Sequence, residues 1–154
     1  MTMIEVSHLS KSFGGVRAVQ DVSFEIPAGV VYSVIGPNGA GKTTLFNLIS
    51  GLYTPSAGAI RFQGSEVGGM APNQLAARGM SRTFQNLQVC MNLGALDNVM
   101  IGAHLTLDGG LLSAIFRKPG LMRQDRRTRA RAADLLAFVG CEKYVRSDAS
   151  AMPY

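Results

Sequence analysis

The residues whose types and spacing speak most directly of chemistry are Gly36-Pro37-Asn38-Gly39-Ala40-Gly41-Lys42-Thr43, followed by Thr44. They fit G-x-x-x-x-G-K-[ST], the spacing of a phosphate-wrapping loop. Chance would place that pattern in about 1% of chains of ordinary composition. The glycines reach backbone conformations that a Cβ forbids and let the main chain approach a ligand closely. Successive N–H groups then face inward, at the positive end of the helix that follows. Lys42 is spaced to reach the β- and γ-phosphates, and the Thr43 hydroxyl to ligate Mg²⁺. These observations imply a nucleoside triphosphate ligand and leave open what the chain does with it.

Such a loop needs a strand before it and a helix after it. Val30-Val31-Tyr32-Ser33-Val34-Ile35 precedes it. Both faces of that run are mostly apolar, which predicts a strand covered on both sides in a parallel sheet. Lys42 to Ser50 reads as the helix, with Gly51 as its stop. Earlier, Ile4 and Val6 followed by Leu9 give a first strand in partial alternation, and Val22, Phe24 and Ile26 alternate cleanly. Later, Ala59 to Phe62 reads as a short strand, Pro72 to Arg78 as a short helix and Met80 to Phe84 as another strand. From Leu93 the pattern is helical. Leu121 to Val139 is a long helix closed by Gly140, with Ala132, Leu135, Leu136 and Val139 as its apolar stripe. Strands and a phosphate loop first, then helices, predict an α/β nucleotide-binding domain with a helical region added.

Composition supports one folded domain. The 154 residues are 47% hydrophobic and 16% charged, too apolar for a disordered chain. No uncharged apolar run has the ~18 residues of a membrane span, and Met1 to Ser10 lacks the pattern of a secretory signal. Two cysteines, Cys90 and Cys141, make no disulfide framework, so a reduced, cytosolic chain is expected. The net charge of +5 belongs to one segment, since residues 117–131 alone carry seven basic side chains and one acid. No aromatics interleave these arginines and no reader motif is present, so nucleic acid is not an expected partner. A solvated helix face is the plain reading of the segment, ahead of an acidic partner or anionic headgroups. His8 and His104 lack metal-ligand spacing, Cys90 has no base beside it, and the eight Met residues read as core filler.

Around the loop the sequence resembles the ATP-binding subunits of ABC transporters. Gly36 to Leu45 resembles that family's Walker A, and Pro55-Ser56-Ala57-Gly58-Ala59-Ile60 its P-x-x-G-x-I turn. Arg82-Thr83-Phe84-Gln85 resembles its Q-loop, and Phe13 stands where the family carries the aromatic that stacks on adenine. Leu96 to His104, the stretch from Gly109 to Arg117, Arg126-Arg127 and Leu135 to Gly140 resemble the branched-chain (hydrophobic) amino-acid importers in particular. Ser150 to Tyr154 is similar to the residues just ahead of the signature motif.

The resemblance implies a P-loop NTPase fold of the ABC ATPase type. It would have an N-terminal antiparallel β-subdomain and a partial helical subdomain. Residues 1–92 would hold the β-subdomain, phosphate loop and Q-loop, and residues 93–154 the helical subdomain. It implies ATP on Phe13 and Gly36 to Thr44, and Mg²⁺ on Thr43 and Gln85. It implies membrane-spanning permease subunits and a second ATP-binding subunit as partners, at the cytoplasmic face of the inner membrane. The signature motif and Walker B are not in these residues, so the chain is expected to be the N-terminal part of such a domain. Nucleotide binding is then expected with little hydrolysis, since no carboxylate base is at hand. An open sheet edge and exposed apolar surface are expected as well. The other readings are a nucleotide-binding module without catalysis, an ATPase of lipid or polysaccharide export, and an unrelated P-loop kinase or GTPase. The last lacks an Asn-Lys-x-Asp motif.

Overall fold

The computed structural model describes residues 1–84, 89–103 and 119–152, with the backbone alone over 119–123. The chain forms two compact units, Met1–Thr83 and Phe84–Tyr154.

The first unit is built on β1 (Thr2–Phe13), β2 (Val16–Pro27), β3 (Ala57–Phe62) and the short β4 (Ser65–Glu66). They pair antiparallel in the order β2-β1-β3-β4. The alternation of Val22, Phe24 and Ile26 holds over the second half of β2, and β1 runs well past the Ile4–Leu9 stretch that marks it in the sequence. Helix α1 (Lys42–Ile49) buries Leu45 and Leu48 against Val6, Leu9, Val19, Ile60 and Phe62. Val67, just after β4, and Leu75, from the short helix α2 (Pro72–Ala77), complete this core. Met3, Met70 and Met80 pack at its margin, as core-filling methionines should, whereas Met1 and Met91 are exposed and fill no core. Helix α1 ends at Gly51, which takes φ +75°. The Gly51 amide donates to Leu48 O (3.2 Å) and the Leu52 amide to Asn47 O (2.9 Å), a Schellman stop.

The second unit holds α3 (Ala95–Gly102), α4 (Pro119–Phe138) and 3₁₀ turns at Glu142–Tyr144 and Ala149–Ala151. Asn98 staples the loop before α3. Its carbonyl accepts from the Cys90 amide (2.9 Å), and its amide donates to Cys90 O (3.0 Å) and Gly94 O (3.1 Å). Ala132 and Leu136 of the expected stripe are buried, whereas Leu135 and Val139 are exposed. Gly140 closes α4 with φ +73°, and the Cys141 amide reaches Leu136 O at 2.7 Å.

Two expected strands do not form. Residues 30–35 carry no strand pairing, and neither do Met80 to Phe84. The cause is the same for both. An apolar run becomes a strand only when a neighbour completes its hydrogen bonds, and no described strand pairs with either segment. One side of the 30–35 run is seated. Tyr32 stacks on Phe24 at 5.6 Å between ring centroids, and Val34 packs on the core. Its other side is bare, with Val31 98% and Ile35 90% exposed. The expectation of exposed apolar surface holds at these residues.

Candidate nucleotide site

Gly41 is the residue on which the phosphate loop turns into α1. It caps the helix with φ +83° and ψ 3°, a left-handed conformation that glycine adopts at no steric cost. A Cβ built there would stand 2.3 Å from Ala18 O of β2, so the loop is pressed against the sheet where only glycine fits. Gly39 shares the left-handed conformation (φ +85°) but faces open space. The Ala40 amide donates to Pro37 O at 3.3 Å and closes the turn between them.

No side chain caps α1, and no acid lies in its first turn. The first helical bond runs from the Leu45 amide to Gly41 O (2.8 Å). The amides of Lys42, Thr43 and Thr44 therefore have no acceptor within the helix. Lys42 folds back over the loop, and its Nζ donates to Gly36 O (2.6 Å) and Pro37 O (2.7 Å). Uncapped amides, one ammonium and no carboxylate in that turn make a donor set suited to an anion. Thr43 is exposed and Thr44 half-buried. Among the described residues no group of three or more His, Cys, Asp and Glu is placed to hold a metal.

Phe13 ends β1 and is exposed. Its ring meets Tyr53 edge-on (centroids 5.1 Å apart, 73°), and Lys11 Nζ lies 5.0 Å from its centroid. Lys11 Nζ also donates to Thr54 O at 2.8 Å, which ties the end of β1 to the loop after α1. Phe13 pairs with Val16, two residues along β2 from the Ala18 carbonyl that meets Gly41. The aromatic and the phosphate loop thus share one end of the β1–β2 hairpin. Gln85 lies outside the described residues. The segment leading to it is tied to α1, because Arg82 Nη1 donates to Asn47 Oδ1 (2.6 Å) and Ser50 Oγ (2.9 Å). Neither the Arg82 link nor the Tyr53 contact is legible in sequence.

The lesser features resolve plainly. His8 is exposed and pairs with Asp21, its Nδ1 donating to Oδ1 at 2.7 Å. Cys90 is an exposed loop residue. Arg126, Arg127, Arg129 and Arg131 are exposed, and Arg129 Nη2 donates to Asp97 Oδ1 at 3.3 Å. His104 and the side chains of Arg117, Lys118 and Arg123 lie outside the described residues. No described helix is long and apolar enough to cross a membrane.

A phosphate loop opening α1 beside an antiparallel sheet defines an α/β P-loop NTPase of the ATP-binding-cassette type. The chain belongs to the ABC transporter family, whose pattern matches residues 19–152. It is 36% identical over 152 residues to BraF of Pseudomonas aeruginosa, a high-affinity branched-chain amino acid transport ATP-binding protein. The match covers 99% of this chain and 60% of BraF. LivG of Salmonella typhimurium, with the same description, is 34% identical over the same shares. Among solved structures, the ADP conformation of an ATP-binding cassette of an ABC transporter superposes with a TM-score of 0.78 at 27% identity. That superposition covers 99% of this chain and 59% of the cassette. The chain thus spans about 60% of the length of the curated relatives it matches.

Proposed function

We propose that this chain binds ATP through Gly36 to Thr44 and Phe13, as part of the ATP-binding subunit of a branched-chain amino-acid importer. The observation that carries the reading is the donor set at the start of α1. Uncapped helix amides and the Lys42 ammonium converge on the loop with no carboxylate beside them in the first turn. When bound, the triphosphate would replace the Gly36 and Pro37 carbonyls as the acceptor for Lys42 Nζ. Mg²⁺ would arrive with it, held by phosphate oxygens and the Thr43 hydroxyl, with Gln85 as a second protein contact. Phe13 would offer adenine an apolar face. BraF and LivG support the import assignment by their descriptions. On this reading residues 1–92 hold the β-subdomain, phosphate loop and Q-loop, and residues 93–154 the helical subdomain. A second ATP-binding subunit and membrane-spanning permeases are its partners, at the cytoplasmic face of the inner membrane.

Titration calorimetry tests the binding step. Mg-ATP should bind the full 154-residue chain, and Lys42→Ala should weaken it. No heat from folded protein, or an unchanged affinity in Lys42→Ala, overturns the reading.

A second reading concerns turnover. These residues contain no run of four apolar side chains ending in Asp-Glu, so they offer no carboxylate in the position of the family's general base. By itself the chain binds nucleotide and turns it over at a rate close to background.

A further inference from the structure

Val6 and Leu9 are both buried in the core shared with α1, although they stand three residues apart on β1. In a regular strand an odd separation puts two side chains on opposite faces. A bulge reconciles them. From Val6↔Phe24 to Leu9↔Val22, β1 advances three residues while β2 advances two. The neighbour on the other side records the same extra residue, between Ser7↔Ala59 and Ser10↔Ala57. The bulge is centred on His8, whose φ is +51°. Gly58 makes room for it, since a Cβ there would stand 2.3 Å from His8 O. The glycine of the Pro55-to-Ile60 turn therefore has a structural task.

Strand β2 answers with a bulge of its own. From Leu9↔Val22 to Lys11↔Val19 it advances three residues against two, and Asp21 takes φ +49°. The two bulges close on each other. The His8 amide donates to Ser23 Oγ (2.8 Å) and the Asp21 amide to Ser10 Oγ (3.0 Å), while the two side chains share a hydrogen bond of 2.7 Å. Beyond them β2 takes one more extra residue, between Lys11↔Val19 and Ser12↔Arg17, but β1 takes none, so Leu9, Lys11 and Phe13 share a face.

We infer that His8 and Asp21 are positioning residues: their paired bulges turn Phe13 onto the sheet face that packs against α1 and the phosphate loop. Phe13 is seven residues from Val6, so an unbroken β1 would present it on the opposite face. The inference rests on the proposed nucleotide reading, in which Phe13 carries the base. It adds the device that aims this aromatic, roughly 17 Å along the strand from the bulge.

The test compares ATP with inorganic tripolyphosphate, which has no base, on the full chain. Phe13→Ala sets the scale and should lower ATP affinity about tenfold, the loss expected of one base–aromatic stack, with tripolyphosphate unchanged. His8→Val places a β-branched residue where φ is positive and should reproduce the Phe13→Ala loss. His8→Gly keeps the left-handed conformation without the side-chain hydrogen bond to Asp21 and should retain wild-type ATP affinity. If His8→Val yields no folded protein, Ser10→Ala with Ser23→Ala removes only the two hydroxyl acceptors and should show the same ATP-selective loss. Wild-type ATP affinity in His8→Val, or in the serine pair where that variant replaces it, overturns the inference. Equal loss of ATP and tripolyphosphate also overturns it, because the bulges then merely hold the fold. A wild-type chain that binds tripolyphosphate as tightly as ATP removes the role of Phe13 and this inference with it. A chain that binds neither overturns the nucleotide reading itself.

Discussion

Replacing Lys42 by Ala separates the two tasks of that side chain. In the structure its ammonium spans Gly36 O and Pro37 O at 2.6 and 2.7 Å, tying the start of the loop to the start of α1. On binding triphosphate the same ammonium exchanges neutral carbonyls for anionic oxygens. A hydrogen bond to a charged group is worth ~1.5–3 kcal/mol, so the variant should lose roughly 10- to 150-fold in affinity for ATP and tripolyphosphate alike. The lost contact is between ions, and screening at ~0.1 M salt acts over about 10 Å. Wild-type affinity should therefore fall more steeply with salt than that of Lys42→Ala. Without ligand, the variant lacks both ties, and amide exchange across residues 36–41 should quicken. Calorimetry at two ionic strengths and hydrogen exchange on the free protein measure all three effects. An unchanged affinity, or the same salt slope in both proteins, refutes the assignment of Lys42 to the phosphates. Unchanged exchange would show that the carbonyl ties do not hold the loop.

Three further expectations follow from the same geometry. Gly39→Ala meets open space and carries only the left-handed penalty of ~1–2 kcal/mol. Gly41→Ala adds a clash with Ala18 O, for ~1–3 kcal/mol more, so urea unfolding should show the larger loss at Gly41, and equal losses would contradict the packing of the loop on β2. Steady-state phosphate release from the chain alone should stay far below ~1 s⁻¹, a low rate for an enzyme, and turnover near that value would place a general base among these residues. Val31→Lys with Ile35→Lys puts charge on the bare side of residues 30–35 and should raise the soluble fraction and lower binding of an apolar dye. Tripolyphosphate affinity should hold, and unchanged aggregation would locate the sticky surface elsewhere.

What the sequence reveals here depends on how far away the deciding atoms lie. Helix α1 is legible because its start and stop are local. Gly41 supplies the left-handed entry, and Gly51 closes the Schellman stop with bonds that span five residues at most. The clean period of Val22, Phe24 and Ile26 in β2 is equally local. The partial alternation of Ile4, Val6 and Leu9 is itself the trace of the bulge, since an extra residue shifts the buried positions from even to odd. The phosphate loop declares its residues by type. The partners that shape the site do not, because Ala18 O, Tyr53 and the Asn47–Ser50 pair reach it only through the fold.

Residues 30–35 mark the limit of such reading. Their composition is that of an interior strand, but composition states a demand rather than meeting it. A strand buried on both faces needs a hydrogen-bonding neighbour along its edges and cover above and below. Tyr32 and Val34 find cover on one side, against Phe24 and the core. Val31 and Ile35 find none, and no described strand offers its backbone groups. The loop that follows nevertheless keeps its turn, because its restraints come from elsewhere: Gly41 on Ala18, Lys42 on Gly36 and Pro37, and Leu45 and Leu48 in the core. The phosphate loop is thus held from its helix side. That is why charge placed at Val31 and Ile35 should change solubility and leave the grip on phosphate intact.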